Sequence, residues 1–258
     1  MRILVSIAQM QSFSNPEENV HKSLEFLRHV PGETGLVIFP EYQLYLPDFT
    51  SVPPAFQDER IVTLFSDHSA YRFLMVNYPQ QSGRARPYNC SSTIYNGKIV
   101  SQYRKIHLYD AARSRESNSF EPGTGLSEPY GIGEFFFGNQ VCYDIRFPEA
   151  SRNLRIGGSR AIVYQAGWFS GEGKLEQWRS LLIARAVENG CYVLGSAQCG
   201  PQFTGHSMIV SPYGSIVAEA ENSETIISGI LDSDVLERYD VDYPLLSQRN
   251  RLSDIVDH

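Results

Sequence analysis

The sequence has no uninterrupted apolar run approaching the ~18 residues that a membrane-crossing helix needs, so no bilayer span is expected. Its four cysteines, Cys90, Cys142, Cys191 and Cys199, form no C-x-x-C pair, and no histidine stands near them at zinc-module spacing. That argues against a structural zinc module and a redox pair, and leaves free thiols in a reducing cytoplasm as the expectation. Excess positive charge is also missing. The 22 basic and 29 acidic side chains give a net charge of -7, which repels nucleic-acid phosphates and anionic lipid surfaces. There is no Gly-rich phosphate loop, low-complexity tract or fixed-period repeat. The opening MRILVSIAQMQSF carries one basic residue and an apolar stretch broken by Gln9 and Gln11, so it reads as a first strand rather than a secretion signal. These absences leave a small molecule as the expected partner, with no metal and no organic cofactor.

What is present is ordinary globular material, 42% hydrophobic and 20% charged over 258 residues, and no shift of composition marks a linker. A single domain spanning residues 1–258 is therefore expected. RILVSIAQ reads as a strand, and NPEENVHKSLEFLRHV as a helix with Asn15 as N-cap, Pro16 at its first position and Val20, Leu24, Leu27 and Val30 on one face. GLVIFPE is a buried strand closing on a glutamate. A Pro-rich loop, a helix over DERIVTLFSDHSA and the strand RFLMVNY follow. SSTIYNGKIVSQYRK is a hairpin turning at Asn96-Gly97. After a long polar Gly/Pro-rich segment come a β run through FFFGNQV, a helix from Pro148, the strand RAIVYQA, the helix KLEQWRSLLIARAVEN, the strand CYVLGSAQ, a second hairpin around Pro212-Tyr213-Gly214, the strand TIISGILD and a polar tail. Strands alternating with helices, mixed with hairpins, predict an α/β sandwich with a mixed sheet.

Cys142 ends the β run, just before a helix. Backbone N–H groups and a positive helix end at such a joint can lower a thiol pKa and hold an oxyanion. A buried cysteine acting as a small hydrophobe is the plain alternative. A thiol nucleophile further needs a base for its proton and a donor for the oxyanion. Glu41, closing LVIFP where a solvated carboxylate is unexpected, and Lys105, at the exit of the hairpin, are candidates for these roles. Loop capping for Glu41, and a solvated basic cluster with Arg104 and His107 for Lys105, are the structural alternatives.

FPEY at Glu41, YRKIHLYD at Lys105 and VCYDIRFPE at Cys142, in that order, resemble the Glu-Lys-Cys signature of the nitrilase superfamily of carbon-nitrogen hydrolases. RESNSFEPG resembles the family's second-glutamate segment, KLEQWRSLLIARAVENGCYV its R-A-x-E-N helix, and GHSMIVSPYGSIVAEA its late hairpin. The resemblance implies a four-layer αββα sandwich that pairs as a homodimer. It implies Cys142 as nucleophile, Glu41 as general base and then acid, Lys105 as oxyanion stabiliser together with the backbone N–H of Tyr143, and Glu116 as a supporting carboxylate. CYDIRFPE is similar to the segment of relatives that hydrolyse carboxamides, including ω-amidases and deaminated-glutathione amidases, whereas members acting on nitriles typically follow the nucleophile with Trp-Glu.

The expected activity is therefore cleavage of a small carboxamide, with N-carbamoyl amino acid or nitrile hydrolysis as alternatives. A thiol hydrolase pairing Cys142 with His107 or His206, and a catalytically silent binding protein, are the competitors outside the family. Arg146 is a candidate to hold a substrate carboxylate through its planar fork, against a structural pair with Asp144 or Glu149. Trp168 is a candidate for the pocket wall, against plain packing. The loops at 43–57 and 107–130 are expected to shape the pocket.

Overall fold

The computed structural model describes residues 1–111 and 114–249. β1 (Arg2–Gln9) leads into α1 (Pro16–His29), β2 (Leu36–Ile38), α2 (Asp58–Ser69), β3 (Phe73–Gln80), and the hairpin of β4 (Tyr88–Tyr95) and β5 (Lys98–Arg104). The long polar segment holds a small ribbon of β6 (Asp110–Ala111) and β7 (Ser114–Arg115), then a 3-10 turn at Glu116–Asn118. There follow β8 (Tyr130–Ile132), β9 (Phe135–Val141), a 3-10 turn at Cys142–Arg146, α3 (Pro148–Ile156), β10 (Ala161–Ala166), α4 (Lys174–Asn189), β11 (Tyr192–Ala197), and a hairpin of β12 (Met208–Val210) and β13 (Ile216–Glu219). β14 (Thr225–Asp232), α5 (Ser233–Asp242) and α6 (Leu245–Gln248) come last.

Local chemistry accounts for most of these boundaries. The Asn15 side chain accepts the backbone N–H of Glu17 at 3.0 Å, Pro16 opens α1, and Arg28 and His29 stand in its last turn. The β4–β5 turn puts Asn96 at φ 47° and Gly97 at φ 68°, the left-handed pair that matches strand twist. The buried face of α1 differs from the expected apolar line. Asn19, Ser23 and Leu27 are buried there, while Val20 and Leu24 pack partly exposed beside them. Polar residues are tolerated on that face because they are satisfied: Asn19 bonds both the N–H and the carbonyl of Phe13, and Ser23 accepts from Gln43 at 3.0 Å.

Two six-stranded mixed sheets form, where the strand pattern alone suggested one. Their orders are β14-β1-β2-β3-β4-β5 and β13-β12-β11-β10-β9-β8. Each has three parallel strands at its centre, β1-β2-β3 and β9-β10-β11, flanked by antiparallel neighbours. The same pairing scheme thus occurs twice without a repeat in the sequence. One apolar core lies between the sheets, with Val5, Ile7, Ile38, Phe137, Val163 and Leu194. A second is covered by α1 and α2, and a third by α3 and α4, with Trp178 and Leu182 of α4 fully buried. Helix, sheet, sheet and helix are the four layers implied by the family resemblance.

Beyond β14 the expected polar tail is helical. Asp232 caps α5 by accepting the N–H of Asp234, and Leu236 and Tyr239 are buried on it. Residues 250–258, which the single-domain expectation includes, and residues 112–113 of the long loop lie outside the described residues. No helix among the described residues is long and apolar enough to cross a membrane.

Candidate active site

Parallel strands present their carboxyl ends on one side of a sheet, where side chains beyond the last ladder bond are free to converge. Here both sheets do so at one seam. Glu41 lies three residues past β2, Lys105 follows β5, Cys142 follows β9 and Gly167 follows β10. Glu116 opens the 3-10 turn of the long loop.

Lys105 Nζ donates to Glu41 Oε1 and to Glu116 Oε2, both at 2.7 Å, and all three side chains are fully buried. A charge so placed is stable only if its partners are in position, and further donors complete them. Asn89 Nδ2 donates to Glu41 Oε1 at 2.8 Å and to Glu116 Oε1 at 2.9 Å. The backbone N–H of Gly167 reaches Glu41 Oε2 at 2.7 Å, and Glu116 also accepts from the Tyr42 hydroxyl at 3.1 Å and from the N–H of Tyr109 at 2.7 Å. Glycine is required at 167, since a Cβ there would lie 2.9 Å from the Tyr42 ring. Burial works to lower the Lys105 pKa, but Glu116 and Glu41 outweigh it and hold the ammonium well above its ordinary value. Burial raises the Glu41 pKa, helped by Glu116 and opposed by Lys105.

Cys142 sits at φ 46°, a left-handed conformation that a non-glycine residue adopts only under constraint. Asp144 supplies part of the constraint by accepting the N–H of Val141 at 3.0 Å, the Tyr103 hydroxyl at 2.7 Å and the N–H of His107 at 3.1 Å. The expectation of a lowered thiol pKa is reversed. Burial first, and then the charge of Glu41, push the Cys142 thiol well above its ordinary value. The physical reason is that the thiol opens a five-residue 3-10 turn and so stands well before the start of α3 at Pro148, while an acceptor carboxylate faces it within a desolvated seam. Cys90 and Cys191 are pushed up to about 12, and Cys199 to about 11, chiefly by burial; all four cysteines are unbridged.

The remaining candidates divide. Tyr143, Arg146 and Trp168 line the slot over Cys142 with Lys105, Tyr109 and Lys174. Arg146 pairs with neither Asp144 nor Glu149; it donates to Gln177 Oε1 at 2.6 Å and lies 5.0 Å from the Trp168 ring centre. His107 bonds Asp144 at 2.7 Å and stacks on Phe147 at 3.6 Å, so it braces the turn, and His206 bonds Glu219 at 3.2 Å. Neither histidine is in the slot. The slot has a volume of about 20 Å³, room for one water, and adjoins a vestibule of about 840 Å³ bounded by Asp48, Phe49, Arg115 and, shared with the slot, Tyr109 and Phe169. Asp48, Phe49 and Thr50 of the first expected loop and Tyr109, Ala111, Ser114, Arg115 and Asn118 of the second thus line the vestibule, together with Phe169 and Ser170. Asn89, Tyr42 and Lys174 were not singled out from sequence; Asn89 carries a weak signal, a buried amide at the start of a β run, and Lys174 none. No three His, Cys, Asp or Glu side chains among the described residues could hold a metal ion.

Comparison with known proteins adds three findings. The sequence pattern of the family described as "Carbon-nitrogen hydrolase" matches residues 4–240. A "Deaminated glutathione amidase" of Escherichia coli O157:H7 is 31% identical over 176 residues, which cover 68% of this chain and 66% of that protein, and one of a Synechocystis species is 30% identical over 266 residues, covering 95% and 97%. The crystal structure of Saccharomyces cerevisiae Nit3, a member of branch 10 of the nitrilase superfamily, superposes with a TM-score of 0.83 at 27% identity, covering 97% of each chain.

Proposed function

The chain belongs to the carbon-nitrogen hydrolase family, and from that premise we propose that it is an amidase that cleaves the C–N bond of a small carboxamide and releases ammonia through a thioester on Cys142. The observation that carries this reading is the buried Glu41–Lys105–Glu116 arrangement, closed by two 2.7 Å bonds beside a thiol held at φ 46°.

Each role follows from bonding capacity. Glu41 accepts from Lys105, Asn89 and Gly167, which uses three of the roughly four acceptor sites of a carboxylate and leaves one for the thiol proton. With its pKa raised, Glu41 is a stronger base than a solvated carboxylate. Cys142 Sγ attacks the amide carbon as its proton passes to Glu41. Lys105 has three N–H donors and commits two of them to carboxylates, so one remains to meet the oxygen as it becomes negative, together with the Tyr143 N–H. Collapse of the tetrahedral intermediate breaks the C–N bond, and Glu41 returns the proton to the departing ammonia. Water then enters, gives a proton to Glu41 and its oxygen to the acyl carbon, and the thiolate leaves reprotonated. Glu116 touches no reacting atom here; it fixes Lys105.

The unbridged thiols support a reducing compartment, the cytoplasm, as the place of action. The working unit is proposed to be a homodimer, and a monomeric mass in light scattering at micromolar protein removes that claim. The activity is tested by ammonia release from succinamate, butyramide, an N-carbamoyl amino acid and an aliphatic nitrile. An amide should turn over fastest, and Cys142→Ala should abolish its turnover. Fastest release from the carbamoyl compound or the nitrile replaces the amidase reading with that activity.

A further inference from the structure

We infer that Lys174 acts with Arg146 as a two-cation clamp that selects amides whose acyl chain carries two carboxylates, and that Lys174 is a specificity-determining residue. The inference deepens the amidase reading and rests on it. Arg146 reaches the slot from the turn that follows Cys142, and Lys174 from the first residue of α4. They meet at one ring: the Arg146 Cζ lies 5.0 Å and the Lys174 Nζ 5.6 Å from the Trp168 centroid. That ring is a fixed platform, nearly buried, with its Nε1 donating to the Lys174 carbonyl at 2.8 Å and its face against Trp178 at 5.3 Å between centres.

Charge pairing around the slot is uneven. Lys105 is met by two carboxylates, yet among the described residues no carboxylate lies within salt-bridge reach of Arg146 or Lys174, and the hydrogen-bond partner given to the guanidinium is the neutral amide of Gln177. Two positive charges over an aromatic platform at the mouth of a catalytic slot therefore lack counter-charges, and a single carboxylate on the substrate satisfies one of them. Asp48 on the vestibule wall does not supply the other, because its carboxylate is turned onto the N–H groups of Thr50 and Ser51 in its own loop.

Position separates the two cations. The Lys174 ammonium also stands 5.8 Å from the Tyr109 ring, and Tyr109 lines both slot and vestibule, so this charge guards the junction between them. With about 20 Å³ over Cys142, an acyl chain enters only as side chains move aside. Lys174 is suited to move, as among the described residues its ammonium makes ring contacts rather than a hydrogen bond, and its stem is flexible. An incoming dianion would draw it off Trp168 and Tyr109 onto one carboxylate, while Arg146 holds the other.

The test measures ammonia release from butyramide, succinamate and the monoamide of tricarballylic acid, which are neutral, singly and doubly charged. Wild-type protein should favour the dianion over succinamate by ~10-fold in kcat/KM, a gain of one charge-assisted contact made in ground and transition states alike. Lys174→Met should bring that ratio close to one through KM, and Lys174→Arg should restore most of it. A wild-type ratio of one or less, or an unchanged ratio in Lys174→Met, overturns the clamp while ammonia release from the amides leaves the amidase reading standing. If wild-type protein releases ammonia from none of the amides, the amidase reading falls and the clamp with it.

Discussion

Lys105 is fully buried, and two carboxylates at 2.7 Å hold it in its charged form. Replacing it with methionine keeps much of the volume but strands Glu41 and Glu116 without a counter-charge, which costs ~3–5 kcal/mol for a broken buried pair. That cost depends on pH in a definite direction. The folded-state pKa of Glu41 is already above its ordinary value, and removing the ammonium raises it further, so the folded protein holds the proton more tightly than the unfolded chain. Stability is then fully present below the ordinary carboxylate range and is lost as pH rises through the folded value. Urea denaturation of Lys105→Met should show a large deficit at pH 8 that shrinks at pH 5; a deficit independent of pH refutes the assignment. Activity should carry the same signature. The reactive form needs Glu41 ionised and the thiol and ammonium protonated. With the first pKa raised and the other two well above ordinary values, kcat/KM should fall on the acid side at a pH above 4.5, the ordinary carboxylate value, and stay level through pH ~9. An alkaline decline beginning near neutrality contradicts it.

At the scale of elements, the site depends on where strands stop. Glu41, Lys105 and Cys142, which the structure gathers at one seam, could be picked out as candidates because each stands oddly near a strand end (a carboxylate closing an apolar run, a lysine at a hairpin exit, a thiol at a strand-to-turn joint) and because the segments around them resemble one family signature, although each alone had a plain structural alternative. Asn89 was not, because its role lies in two bonds to residues 48 and 27 positions away, and β4 reads as an ordinary strand around it. Asn89→Leu should lower kcat by ~10–100-fold as both carboxylates lose a shared donor, with a stability loss of ~1–3 kcal/mol from the unpaired acceptors. Steady-state kinetics and thermal melting check this, and unchanged kcat in the folded variant would refute it. The helical α5 was missed for a related reason. Its N-cap Asp232 and its apolar pair Leu236 and Tyr239 at i, i+3 are brief signals in a short, charged segment, and distant packing fixes it: the Tyr239 ring lies against Gly190, where a Cβ would sit 2.6 Å from it, and its hydroxyl donates to the Val187 carbonyl at 2.8 Å. The long loop was expected to matter, but its bonds to Lys105 through Glu116 could not be read from irregular sequence.

In the whole molecule, the side chains proposed to be catalytic follow strands of both sheets, so their alignment depends on how the sheets are joined. The alternation of strands and helices gave the class of fold, whereas the division into two sheets rests on pairings such as β14 with β1 that connect the chain's ends. Polar bonds cross the apolar interior at the seam. Gln165 Nε2 donates to the Phe39 carbonyl at 2.7 Å, and Gln198 Nε2 to the Glu41 carbonyl at 2.8 Å and the Ser12 hydroxyl at 2.7 Å. Gln198→Leu should therefore lower Tm by several degrees and kcat together, since it leaves buried groups unpaired and frees the backbone of Glu41; a lowered Tm with wild-type kcat would show that the seam does not position the site. The central claim is that Cys142 carries the acyl group between two half-reactions. Its most direct test is acid-quenched intact-mass and peptide-mass analysis of the protein during turnover of succinamate. The account predicts a succinyl adduct on the peptide containing Cys142, labile to hydroxylamine and absent from Cys142→Ala. Ammonia release by Cys142→Ala at the wild-type rate, with no adduct on either protein, would contradict it.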